Sequence, residues 1–227
     1  MEDKIISVAI DGPAAAGKST VAKKVAKLLG FTYIDTGAMY RAVTYAVIKR
    51  GLDPKDERQS ETVLPGLKID LLPDGRVICN GDDVTTVIRE PLVSGNVSYI
   101  ASFKNIRLAL VDMQREMAKC RSVVMDGRDI GTYVLPEADV KIYQIASVET
   151  RAVRRYEENL AKGIPTTLKE VEEDVRTRDR IDSGRAFAPL KPAPDSVLID
   201  TSFMSVDQAV DAVLAVIKEK TGVTPQC

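Results

Sequence analysis

Short apolar runs alternate along the chain with segments whose apolar residues recur at helical spacing. Ile5–Ile10, Phe31–Asp35, Ser122–Asp126, Val140–Ala146 and Ser196–Asp200 are short and apolar, as buried strands of a parallel sheet should be. Between them, 3.6-residue periodicity predicts helices over Lys18–Leu29, Ala38–Arg50, Val93–Lys119, Val148–Lys162, Leu168–Ile181 and Ser205–Lys220. In the first of these, Val21, Val25, Ala26, Leu28 and Leu29 repeat on one face until Gly30. The alternation implies an α/β fold: a central five-stranded parallel sheet with helices on both faces, three layers in all. Such sheets bind ligands at their C-terminal edge, and Asp11, Asp35, Asp126 and Asp200 lie at or just past strand ends.

One region breaks the pattern. Leu67–Leu71 alternates apolar and polar residues, Pro73-Asp74-Gly75 reads as a turn, Val77-Ile78-Cys79 as a second strand and Asn80-Gly81 as a hairpin turn. This is a small antiparallel β insertion, either a surface excursion or a mobile flap over a second substrate.

Composition narrows the function classes. The 227 residues, 44% hydrophobic and 29% charged, can bury one α/β core with an insertion. A net charge of -1 argues against broad binding to nucleic acid or an acidic membrane, so any basic site is local. Cys79, Cys120 and Cys227 lack metal-ligand spacing and read as reduced cytoplasmic thiols. No export signal and no apolar run of about 18 residues is found. Histidine is absent, which handicaps many hydrolases but not a phosphoryl-transfer enzyme, where positioning and charge neutralisation dominate.

Between the first strand and the first helix lies Gly12-Pro13-Ala14-Ala15-Ala16-Gly17-Lys18-Ser19-Thr20, a phosphate-binding P-loop in the context it needs. Its glycines let backbone N–H groups and the helix N-terminus face phosphate oxygens. Lys18 adds positive charge beside the β- and γ-phosphates, and the Ser19 hydroxyl suits Mg²⁺. The loop predicts ATP with Mg²⁺.

Three polar clusters remain. In Asp35–Arg41, Thr36 presents a hydroxyl at a helix start with Arg41 about one turn on. The pair suits a phosphate monoester, or else Thr36 is an N-cap and Arg41 a solvated charge. Asp126-Gly127-Arg128-Asp129-Ile130-Gly131 closes a strand with two glycines around a charged pair, either a ligand turn or a salt-bridged one. Arg151, Arg154 and Arg155 share one helix face, and Arg176, Arg178, Arg180 and Arg185 follow the Gly163-Ile164-Pro165 break. Part of this stretch pairs with Glu157, Glu158, Glu170, Glu172 and Glu173. The remainder marks an anion site on a hinged, lid-like helix pair.

In that order and over nearly the whole chain, Gly12–Thr20, Asp35–Arg41, Val77–Ser98 with Asn80-Gly81-Asp82-Asp83-Val84-Thr85, Asp126–Gly131, and Arg178–Pro192 with Arg185-Ala186-Phe187-Ala188-Pro189-Leu190 resemble bacterial cytidylate kinase. The resemblance implies a P-loop enzyme that uses ATP and Mg²⁺ to phosphorylate CMP and dCMP. It implies a core over 1–62, 94–147 and 184–227, a nucleoside monophosphate-binding insertion near 63–93, and a helical lid near 148–183. It also implies acceptor phosphate contacts from Thr36, Arg41, Arg128 and Arg185, and cytosine contacts from Ser98, Arg107 and Asp129. Arg178 and Asp182 would bind ribose, while Arg151, Arg154 and Arg155 approach ATP, and Lys18, Arg128, Arg151 and Arg155 are the implied catalytic residues. Thr36 stands where some members have Ser, and the Ala14-Ala15-Ala16 run varies in the family. The expected enzyme is a monomer acting on small molecules, without nucleic-acid or membrane partners.

Other readings keep part of this evidence. A thymidylate- or shikimate-type kinase keeps the P-loop but does not need the insertion. A GTP-binding switch needs an Asn-Lys-x-Asp motif, which does not occur, and a motor subunit needs a second arm or repeat.

Overall fold

The computed structural model describes residues 4–225; Cys227 lies outside the described residues. In chain order the first elements are β1 (Ser7–Asp11), α1 (Lys18–Leu29), β2 (Thr32–Asp35), α2 (Thr36–Lys49), α3 (Glu57–Glu61), β3 (Ile69–Leu71), β4 (Val77–Cys79) and β5 (Asp82–Asp83). They are followed by α4 (Pro91–Ile100), α5 (Lys104–Ala118), β6 (Val123–Gly127), β7 (Val140–Ile145), α6 (Val148–Ala161), α7 (Leu168–Gly184), β8 (Val197–Asp200) and α8 (Val206–Thr221). A five-stranded sheet runs β2-β6-β1-β7-β8, and a three-stranded sheet runs β3-β4-β5. β1 pairs in parallel with β6 and β7, and β7 with β8. The central place of β1 follows from its composition, because Val8, Ala9 and Ile10 are fully buried and only an interior strand shields both faces.

The chain divides into two units, one built from the segments up to Tyr33 and from Arg121 onward, the other from Ile34–Cys120. In the first unit, Val8, Ile10, Val124, Val140 and Ile142 pack against Val21, Val25 and Leu29 of α1 and Val210, Val213 and Ile217 of α8. Capping boxes start α7 (Thr167 with Glu170) and α8 (Ser205 with Gln208), each satisfying two backbone N–H groups that the helix itself leaves without partners.

In the second unit the insertion is part of the core. Ile69, Val77 and Cys79 of the small antiparallel sheet share one cluster with Met39, Val43 and Val47 of α2, Val93 and Val97 of α4, and Ile106 and Leu110 of α5. The hairpin turns as its sequence requires, with Asn80 and Gly81 both at positive φ (51° and 90°). Burial pushes the Cys79 thiol up from its usual value, whereas Cys120 is exposed.

The helix predicted over 93–119 is two helices. Ser102 Oγ donates to the Tyr99 carbonyl at 2.6 Å and Phe103 adopts an extended backbone before α5, so the ladder breaks at 101–103. Both halves bury their apolar faces in the same cluster, and the hydrophobic period therefore reads through the break. A single-turn π-helix at Ile130–Val134, a 3₁₀ turn at Val87–Arg89 and the five-residue α3 carry too little periodicity to be read from sequence. No helix among the described residues is long and apolar enough to cross a membrane.

Ile10, fully buried in the central strand, sets the expected sensitivity of this core. Ile10→Ala should lower unfolding free energy by about 2–5 kcal/mol with an unchanged urea m-value. A loss under about 1 kcal/mol in urea titrations would contradict the packing described here.

Candidate active site

The P-loop leaves β1 at Gly12, where φ is +150° and a β-carbon would come within 1.9 Å of the Gln144 carbonyl oxygen on β7. No other residue fits that approach. Ala15 and Gly17 also sit at positive φ (59° and 86°), which turns successive N–H groups toward one side. The carbonyls left facing outward are taken up by side chains. Lys18 Nζ donates to the Pro13 carbonyl at 2.7 Å and Arg151 Nη1 to Ala14 at 3.1 Å. Ala16 receives Gln144 Nε2 at 2.7 Å, with Arg154 Nη1 and Thr201 Oγ1 each at 3.4 Å.

Arg151 and Arg154 thus reach the P-loop from α6, while Arg155 pairs with Glu158 on the same helix at 2.9 Å. Arg151 is also bidentate to Asp179 of α7, at 3.0 and 2.7 Å, and so ties the helix pair together. Arg176 takes the solvated pairing that sequence assigned to this stretch, through Glu172 at 2.7 Å.

At the sheet edge Ser19 Oγ donates to Asp126 Oδ2 at 2.7 Å and Tyr33 OH to Asp126 Oδ1 at 2.8 Å. Hydroxyl and carboxylate side by side are hard oxygen donors of the kind Mg²⁺ takes beside nucleotide phosphates. Lys18 is buried, and that burial, reinforced by Arg128, lowers its ammonium well below the usual range against the opposing pull of Asp126, Asp11 and Asp182. Arg128 donates to Asp182 at 2.7 Å, and Arg185 faces Asp129 at 3.6 Å while its Nε donates to the Ala188 carbonyl at 2.6 Å. Burial alone would raise the Asp182 carboxyl, but the charges of Arg128, Arg178 and Arg185, with the Arg128 hydrogen bond, bring it below its ordinary value. The 126–131 turn is therefore tied to the 182–188 segment, and its charged residues find partners there.

In the Ile34–Cys120 unit, the cap of α2 is Asp35, whose Oδ1 accepts from Ala38 N at 2.8 Å. The N-cap alternative for Thr36 is thereby corrected: Thr36 lies buried in the first helical turn. The Arg41 guanidinium lies back over Gly37, where a β-carbon would meet Nη1 at 3.0 Å. Ser98 of α4 and Arg107 of α5 are both buried. Arg107 donates to the Ala101 carbonyl at 2.9 Å and its guanidinium lies 5.2 Å from the centre of the Tyr40 ring.

Sequence reading passed over Tyr33, Gln144 and Thr201. Asp11 stood out only as a carboxylate at a strand end, and Asp126 also as the first residue of the Asp126–Gly131 turn. For Gln144 and Thr201 the contacts span 128 and 185 positions, and no local pattern announces them.

A P-loop on a parallel sheet, a lysine and serine at its helix start, and arginines converging nearby define a P-loop kinase. Solved structures share the fold: an uncharacterized protein from Eubacterium ventriosum (TM-score 0.54, 15% identity, 94% of this chain and 98% of that one) and a gluconokinase from Sinorhizobium meliloti (TM-score 0.51, 12% identity, 94% and 92%). The cytidylate kinase family model matches residues 8–219. A cytidylate kinase of Anoxybacillus flavithermus is 51% identical over 221 residues, covering 96% of this chain and 98% of its own. One from Lactiplantibacillus plantarum is 49% identical over 227 residues, covering 99% and 100%. The chain belongs to the cytidylate kinase family.

Asp11 gives the site a pH signature. Burial raises its carboxyl from 3.8 to about 6, against the N–H groups of Gly131 and Ile130, with the nearby Asp129 adding to the rise. Between those values the native state holds more protons than the unfolded chain, so this group's contribution is full below pH 3.8 and is lost as pH rises through about 6. Urea midpoints should show wild type losing stability relative to Asp11→Asn between about pH 4 and about pH 7. A difference that does not change with pH would contradict the shift.

Proposed function

We propose that this chain transfers the γ-phosphoryl group of ATP to CMP and dCMP, giving ADP with CDP or dCDP. The observation that carries the reading is the P-loop with its Ser19–Asp126 pair in the same unit as the arginines gathered around buried Asp182, in a chain about half identical to cytidylate kinases. The P-loop, Gly12 through Thr20, takes the triphosphate, and Lys18 holds its β- and γ-oxygens. Ser19 with Asp126 would hold Mg²⁺. The fit is supported by their hard oxygens, two of which suffice for an ion that usually keeps phosphate and water ligands. When bound, Mg²⁺ neutralises charge on the phosphoryl oxygens.

The acceptor phosphate is assigned to Thr36, Arg41, Arg128 and Arg185, cytosine to Ser98, Arg107 and Asp129, and ribose to Arg178 and Asp182. Cytosine offers an exocyclic amine, which a carboxylate such as Asp129 accepts, while Arg107 and Ser98 donate to its ring nitrogen and carbonyl. Uracil would turn a carbonyl toward Asp129 and leave a buried carboxylate facing an acceptor. A phosphate acceptor is already ionised at neutral pH, so no general base is required. This suits a chain without histidine. Arg155, whose partner Glu158 is solvent-accessible, is free to exchange that partner for a transferring phosphoryl group. Arg151 and Arg154 act largely by orienting the P-loop. Movement of the insertion near 63–93 and the helix pair near 148–183 would exclude water, the competing acceptor. The reading carries with it a monomeric cytoplasmic enzyme, in keeping with its nucleotide substrates.

An ADP-coupled assay over CMP, dCMP, UMP, TMP, AMP, GMP and shikimate tests this. CMP and dCMP should give the highest kcat/KM. Lys18→Ala should lower kcat at least about a hundred-fold without unfolding the protein. Asp129→Asn should cut the CMP-to-UMP ratio about ten-fold or more, since an amide can donate to the uracil carbonyl. Preference for another acceptor, or an unchanged ratio in Asp129→Asn, would contradict the assignment.

A further inference from the structure

β1 ends on a carboxylate that closes a turn belonging to another strand. Asp11 Oδ1 accepts from Ile130 N and Oδ2 from Gly131 N, each at 2.8 Å, and the residue is only 4% exposed. These are the first N–H groups of the π-helical turn at Ile130–Val134, whose own bonds run from Tyr133 N and Val134 N to the Asp129 carbonyl and from Leu135 N to that of Ile130. The first N–H groups of any helical turn have no partner within it and need an acceptor from elsewhere. The residue at the cap position is Asp129, a type that ordinarily caps with its own side chain. Here it makes no cap bond, and its carboxylate faces Arg185 at 3.6 Å instead.

We infer that Asp11 is a positioning residue for acceptor selection: it caps the 130–134 turn from the neighbouring strand, so that Asp129 is relieved of capping and both Arg128 and Asp129 are fixed toward the acceptor nucleotide. The inference rests on the reading that Arg128 and Asp129 contact CMP. Its geometry is bidentate, one carboxylate on two successive N–H groups, and neither an amide nor an alkyl group can reproduce it. In Asp11→Asn one oxygen becomes an NH₂ group, and a donor faces a donor in a buried place. The two N–H groups oppose the burial that raises the Asp11 carboxyl, so they favour its ionised form in a place that otherwise disfavours it. Asp11 also adjoins Gly12, the first residue of the P-loop, so a merely structural loss there would weaken ATP at least as much as CMP.

Steady-state kinetics of the full chain separate the two. In Asp11→Asn, KM for CMP should rise about ten-fold and the CMP-to-UMP preference fall by a similar factor, while KM for ATP stays within about two-fold. Equal rises for both nucleotides, or no change in either, would overturn the inference. Arg128→Met serves as the control: if it raises KM for CMP and Asp11→Asn does not, Asp11 alone loses its role. If Arg128→Met leaves CMP unaffected, the acceptor-site reading falls and the inference with it. Wild-type enzyme gives a readout independent of any variant's folding. Hydrogen exchange at the Ile130 and Gly131 amides should be strongly protected without nucleotide, and exchange at the rate of an open loop would overturn the remote cap.

Discussion

A loop that offers its N–H groups to an anion must turn its carbonyls the other way, and in a buried setting each of those carbonyls needs a donor. This constraint organises the structure around the P-loop. Lys18, Arg151, Gln144, Arg154 and Thr201 supply the donors, and they come from α1, α6, β7 and the segment after β8. The parallel sheet brings these elements to one edge, and Gly12 lets the loop pass against β7 closely enough for Gln144 to reach Ala16. Without the donors, the strained backbone at Ala15 would have little to hold it in the left-handed region.

The same edge balances charge within a chain that is almost neutral overall. Lys18 is buried and Arg128 half-buried beside Asp11, Asp126 and Asp182, so the cations are matched where solvent screens them only weakly. Each carboxylate has a distinct task. Asp126 collects the hydroxyls of Ser19 and Tyr33, Asp182 anchors Arg128, and Asp11 takes two backbone N–H groups. Phosphate anions entering such a site meet positive groups already placed and partly desolvated, the arrangement that phosphoryl transfer uses instead of acid–base chemistry.

Local chemistry was legible in the sequence and distant chemistry was not. The strands, the P-loop and the Asn80-Gly81 hairpin are read from neighbouring residues, because their backbone geometry is set by neighbouring residues. The break at 101–103 escaped because α4 and α5 bury into one cluster and keep one hydrophobic rhythm across Ser102. At Asp35 and Thr36 two residues able to cap stand side by side, and only the Ala38 N contact decides between them. The resemblance to cytidylate kinase implied that Arg128, Asp129, Arg178, Asp182 and Arg185 share one site, yet the pairing of Arg128 with Asp182 across 54 positions depends on the chain's return after α7. Gln144 looks in sequence like an ordinary polar residue in a strand.

Gln144 is also where the central claim is most exposed to test. Its Nε2 serves Ala16 while its Oε1 is buried without a hydrogen-bond partner, so Gln144→Met removes the donor at nearly constant volume and relieves an unsatisfied oxygen. Calorimetric titration of that variant should show ATP·Mg²⁺ affinity reduced about ten-fold, with thermal stability and CMP affinity little changed. Undiminished ATP affinity in a folded Gln144→Met protein would contradict the account, since the P-loop amides would then hold their orientation without the donors on their carbonyls.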